Sequence, residues 1–178
     1  MTPNFMDIEY LKVGSSRQKQ AYDLLKQLAV MDTLAPYDPL LAGTIPIEID
    51  LPESDLDIIC QVRDHEAFSA VLAHGFGEQE AFEVSSYPKL GQWRTVARFR
   101  SGGFEVEIFG QDEPTISQYA FKHMLIEWRL LQKHGEAFRQ KILALKRSGM
   151  KTEPAFAQVL GLSGDPYQAL LDLGNSLD

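Results

Sequence analysis

Apolar positions along this chain change their period several times, and each change marks an element. Residues 15–31 place Ala21, Leu24, Leu25 and Leu28 at helical spacing, with Ser15 or Ser16 able to cap the start. Pro36 and Pro39 make residues 32–39 a connection. Leu40, Leu41 and Ala42 form a short apolar run that stops at Gly43, the pattern of a buried strand entering a turn. Residues 45–53 hold Pro46 and Pro52 around Ile47, Ile49 and Leu51, which predicts an irregular, extended loop. Residues 55–62 give the clearest strand (Leu56, Ile58, Ile59, Val62). An amphipathic helix follows over 65–74, carried by Phe68, Val71 and Leu72 and stopped by Gly75 and Gly77. Strands are expected over 82–87 and 93–100. The turn Ser101-Gly102-Gly103 folds the second of these onto a partner over 104–109.

From Pro114 onward the period is helical. Segments 114–132, 136–147, 153–160 and 166–173 carry it, separated by Gly149, Gly161 and Gly164. Helix, strand, helix, a strand cluster and then helices is an α+β layout. It predicts a small mixed β-sheet flanked by helices, with a helical C-terminal third. The expected division is a core over 1–113 and a helical region over 114–178 packed on it as one unit. The segment from Lys151 either caps the sheet or covers a cleft.

Composition narrows the function. The chain has 178 residues, a size that suits one domain and folds without metal or disulfide. Seventeen Lys and Arg against 25 Asp and Glu leave a net charge of −8, which disfavours an extended nucleic-acid partner. The single cysteine, Cys60, excludes an intrachain disulfide and a Cys-rich zinc site. It lies in an apolar strand, so it reads as a buried small hydrophobe and not as a nucleophile. No apolar run is long enough to cross a bilayer, and the acidic start lacks the pattern of a signal peptide. A cytoplasmic protein without a membrane partner is expected.

Candidate chemistry begins with carboxylates. Asp55 and Asp57 are two apart in a strand and project side by side. Like charges that close raise each other's pKa, and a divalent cation removes the repulsion. Glu105 and Glu107 share one face of residues 104–109, with Val106 and Ile108 on the other. If the two strands are neighbours, one of these glutamates completes a three-carboxylate cluster; otherwise they form a solvated acidic face. Gly43 and Thr44 supply a turn whose N–H groups and hydroxyl can meet phosphate oxygens. Arg94 and Arg98 alternate on their strand, either toward a triphosphate or into cross-strand ion pairs. On the first C-terminal helix, His123 shares a face with Tyr119 and Glu127. With Lys122 and Arg129 nearby, that helix could contact substrate or phosphate. His65, His74 and His134 are isolated and expected at the surface, while Trp93 and Trp128 suit core or pocket wall.

Ala42-Gly43-Thr44, ten intervening residues and Asp55-Leu56-Asp57-Ile58, with a later acid at Glu107 or Glu105, resemble the signature of the polymerase-beta-like nucleotidyltransferase superfold. Thr44 stands where serine is usual, and the third acid is glutamate. The wider pattern is similar to the DUF4269 family. It is carried by residues 41–47, 54–60 and 104–110, by Glu127-Trp128-Arg129-Leu130-Leu131 and by residues 151–157. The superfold resemblance implies Mg²⁺ or Mn²⁺ held by Asp55, Asp57 and Glu107, with an NTP as donor and an unknown acceptor. It implies transfer of a nucleoside monophosphate. The alternative is a non-catalytic nucleotide-binding or toxin–antitoxin-type module on the same scaffold, with a protein partner or a second copy.

Overall fold

The structure, a computed structural model, describes residues 3–176. One five-stranded mixed sheet organises it, in the order β1-β2-β5-β4-β3. The strands are β1 (Leu40–Ala42), β2 (Leu56–Gln61), β3 (Glu80–Lys89), β4 (Gln92–Ser101) and β5 (Phe104–Gln111). Only β2 and β5 run parallel; β1 joins β2, and β4 joins β5 and β3, antiparallel.

Strand alternation gives each face its own core. Leu41, Leu56, Ile58, Cys60, Val106 and Ile108 point to one face. There α1 (Ser16–Gln27), α2 (Val30–Thr33) and α3 (His65–Phe76) bury them through Leu24, Leu25, Phe68, Leu72 and Phe76. Leu40, Ala42 and Ile59 point to the opposite face. They pack with Met124, Leu131 and Phe138 of α4 (Tyr119–Arg147), Phe156 of α5 (Thr152–Leu160) and Leu170 of α6 (Pro166–Gly174). The acids of β2 and β5 alternate with the first set and therefore belong to the face of the C-terminal helices. No helix among the described residues is long and apolar enough to cross a membrane.

Several boundaries differ from the sequence expectation. The first helix does not reach Met31. Ser15 caps α1 with a capping box, but Ala29 takes φ 49° and splits off the short α2. Gly75 lies inside α3, which runs to Phe76 before Gly77 ends it. The helix expected from Pro114 starts at Tyr119, after a single 3-10 turn over Thr115–Ser117. Gly135, at φ 72° and ψ −164°, breaks α4 where two separate helices were expected.

Residues 45–49 are turned and compact, not extended. Ile49 N–H donates to the Thr44 carbonyl at 3.2 Å, and Glu48 adopts φ 58°. The segment is held from outside: Gln18 Nε2 donates to the Ile45 and Pro46 carbonyls. Arg139 donates to the carbonyls of Ile47 and Glu48, and the Lys146 ammonium donates to that of Ile49 at 2.7 Å. The three isoleucines of this segment are buried beneath these contacts.

Two aromatic and histidine expectations also change. Trp93 is not core but lines a surface groove with His65 and Ser86. It is 54% exposed beside the Leu90-Gly91 turn, both of whose residues have positive φ. His65 is not isolated: its Nδ1 lies 2.8 Å from Thr95 Oγ1, which in turn is 2.7 Å from Ser86 Oγ. Trp128 packs edge-on against Phe5, and Cys60 is fully buried in β2, where desolvation pushes its thiol pKa up.

Candidate active site

The register of the sheet brings Asp57 and Glu107 together. In the parallel ladder Asp57 lies directly beside Glu107, and in the antiparallel ladder it lies beside Ala42. Asp55 sits just ahead of β2 and senses Glu105 and Glu107 after the effect of its own burial. Burial is also the largest effect on Asp57, followed by Glu107 and then Asp55; together they push its carboxyl up to about 7.

Gly43 closes the other side. It takes φ +83°, and a Cβ there would stand 2.3 Å from Asp57 Oδ2. Glycine is required on both counts, conformation and space. Thr44 follows, its hydroxyl 3.4 Å from Ser54 Oγ, which accepts the Leu51 N–H at 2.8 Å. The turn is thus tied to the loop that leads into β2.

A cleft of about 410 Å³ opens here, with Gly43, Thr44, Asp57 and Glu107 at one end. Phe109 and Met124 give it apolar walls, and His123, Glu127, Thr152 and Glu153 complete the lining from α4 and α5. The C-terminal helices therefore form one side of the cleft as well as covering the sheet. Glu105 is not among its lining residues; it lies in a separate groove with Arg17, Arg100 and Phe104.

The cations and the histidine fall in different places. Arg98 pairs with Glu107, Nη2 at 2.5 Å and Nε at 2.7 Å from Oε2. Arg94 faces the same side, its guanidinium 5.9 Å from the Phe109 ring, and its buried Nε has no partner. His123 lines the cleft, but its Nε2 is 2.9 Å from the Tyr167 carbonyl, which fastens α4 to α6. Lys122 is exposed above the Tyr119 ring, and Arg129 is exposed outside the cleft lining.

Glu127 was not expected to take part. It is 4% exposed, and its Oε1 has no hydrogen-bond partner. Burial, then Glu153, holds its carboxyl well above the usual range, against a smaller opposing effect of Lys146. The signal in the sequence is an acid at the buried stripe position between Met124 and Leu131.

Among the described residues no three His, Cys, Asp or Glu side chains converge as metal ligands do. The donor chemistry still suits a hard divalent ion. Asp57 is an under-neutralised carboxyl with Asp55 and Glu107 beside it, and Mg²⁺ is commonly held by one or two carboxylates plus substrate phosphates. Glu107 is engaged by Arg98.

The fold is nucleotidyltransferase-like. A structure of the Cid1 poly(U) polymerase bound to MgATP aligns at TM-score 0.55 and 14% identity, covering 75% of this chain and 42% of that one. The GLD-2/RNP-8 complex aligns at TM-score 0.55 and 10% identity, covering 83% and 57%. The polymerase core of TRAMP, an RNA surveillance complex, aligns at 0.52 and 14%, covering 88% and 49%. The chain thus spans less than two thirds of each neighbour's length, and at these identities the likeness concerns the fold. No curated protein matches the sequence significantly. The family model of the domain of unknown function DUF4269 matches residues 23–173, and with that span of agreement the chain belongs to the DUF4269 family.

Proposed function

We propose that the protein is a metal-dependent nucleotidyltransferase that moves a nucleoside monophosphate from an NTP to a hydroxyl acceptor. The observation that carries this reading is the half-buried Asp57 carboxyl, in register with Glu107 and against the Gly43 turn, on a nucleotidyltransferase-like sheet. Asp55, Asp57 and Glu107 would hold Mg²⁺ or Mn²⁺, which supplies charge neutralisation for the triphosphate and an activated acceptor oxygen. The backbone N–H groups of Gly43–Thr44 and the Thr44 hydroxyl bind phosphate oxygens. Arg98, once released from Glu107, adds positive charge at the same edge. Arg94 stands further along β4 on that face. The acceptor oxygen bonds to the α-phosphorus as the bond to the β-phosphate oxygen breaks. The acceptor proton passes to a carboxylate, with Glu107 as base. Little covalent work is asked of the side chains beyond positioning and charge.

The test is calorimetric titration of ATP, CTP, GTP and UTP with Mg²⁺ into the protein and into an Asp55→Ala/Asp57→Ala variant. Metal-dependent binding of at least one NTP that is lost in the variant is expected. Equal binding by both proteins refutes the reading. The Arg98–Glu107 pair favours a second reading, a nucleotide-binding module without turnover. In that case NTP binding survives Glu107→Gln, and no pyrophosphate is released under any acceptor condition.

A further inference from the structure

We propose that the α4–α5 side of the cleft, at Glu127 and Glu153, binds an organic cation, and that the acceptor is an amine-bearing molecule. The cleft is lined by four carboxylates, Asp57, Glu107, Glu127 and Glu153, and by no lysine or arginine. Arg98 answers Glu107. The charge of Lys146 reaches Glu127, but no donor reaches its Oε1. That oxygen is buried, and among the described residues no ion pair reaches it. The nearby ammonium of Lys146 is directed at the Ile49 carbonyl. Glu153 has an ordinary explanation, since an acid in the first turn of α5 complements the helix dipole. Glu127 has none: it lies mid-helix on the buried face of α4.

An ammonium group would supply the donor that Glu127 Oε1 lacks and add to the small opposing charge of Lys146, and it has three donors to share with Glu153 and the Thr152 hydroxyl. Glu127 comes from α4 and Glu153 from α5, and a cation carried on a carbon chain can lie between them. The apolar walls at Phe109 and Met124 suit that carbon chain. An anionic acceptor such as an RNA end meets only acids here.

The identity of the acceptor rests on the nucleotidyl-transfer reading; the binding of an amine does not. Spermidine is the probe. It is titrated calorimetrically into the full chain near pH 8 at about 0.15 M salt, where exposed charges are largely screened. Sorbitol and glycerol 2-phosphate serve as neutral and anionic controls. Saturable one-to-one binding of spermidine alone is expected, weakened about tenfold by Glu127→Gln and by Glu153→Gln. Changing the exposed, distant Glu66 to Gln is expected to leave it unaltered. Should Glu127→Gln not fold, Glu153→Gln on the half-exposed first turn of α5 decides. Spermidine binding that is absent, or equally tight in both cleft variants, overturns the proposal. MgATP is titrated into the wild type in parallel. Spermidine binding without MgATP binding overturns the transfer reading and supports the amine site. MgATP binding without spermidine binding does the reverse.

Discussion

The carboxyl of Asp57 is kept from ionising by its burial first, then by Glu107, then by Asp55, so that its pKa rises from 3.8 to about 7 in the folded protein. An unfolded chain loses this proton near pH 4. Between pH 4 and pH 7 the unfolded state therefore ionises while the folded state does not, and stability falls across that window. The deficit is complete above pH 7 and is on the order of 4 kcal/mol for this group. Asp57→Asn removes it. In urea denaturation the variant is expected to gain about 1–3 kcal/mol on the wild type at pH 8 and much less at pH 4. A gain that is the same at both pH values would contradict this account. At this scale the sequence was legible where alternation alone decides, as in the facing acids of residues 55–57 and 105–107. It was not legible at Glu127, because a lone acid on an amphipathic helix reads the same whether it meets solvent or a cleft.

At the scale of elements, the 45–49 turn is the clearest case of structure set from far away. Its carbonyls are held by side chains 27, 28, 92 and 97 positions distant in sequence. No local pattern contains that information, which is why two prolines and alternating isoleucines suggested an extended path. Ala29 at positive φ broke the first helix for a similar reason: alanine carries no local signal for a left-handed residue. Lys146 is the buried charged anchor, and burial lowers its pKa. Lys146→Met is expected to cost about 1.5–3 kcal/mol, since it removes a charged hydrogen bond and leaves the Ile49 carbonyl unanswered. Amide exchange of residues 45–49 should quicken while that of β4 and β5 keeps its protection. Unchanged exchange in the turn would mean that Gln18 and Arg139 suffice.

For the molecule as a whole, the sequence revealed the α+β class and the helical C-terminal third. Strand and helix periods are local, and here they are strong. The parallel pairing of β2 with β5 is not local and had to be seen. The two cores are separated by the sheet, and Phe156 belongs wholly to the second, its ring 5.6 Å from that of Phe138. Phe156→Ala should lower stability by about 3–5 kcal/mol and loosen α5, with it Thr152 and Glu153 in the cleft. Chemical denaturation measures the first effect and proteolysis within residues 148–165 the second. A variant as stable as the wild type would show that the C-terminal helices are held without this ring.

That parallel seam has a consequence for how the protein comes into being. Asp57 and Glu107 are neighbours only because the chain leaves β2, runs through α3 and the β3–β4 hairpin, and returns. The hairpins β3–β4 and β4–β5 close over short loops and can form early; the β2–β5 seam must wait for a long loop to close. A partly folded chain therefore holds Glu107 and Asp57 apart and does not yet contain the proposed site. If the proposed function holds, competence at this centre arrives together with the most distant strand pairing.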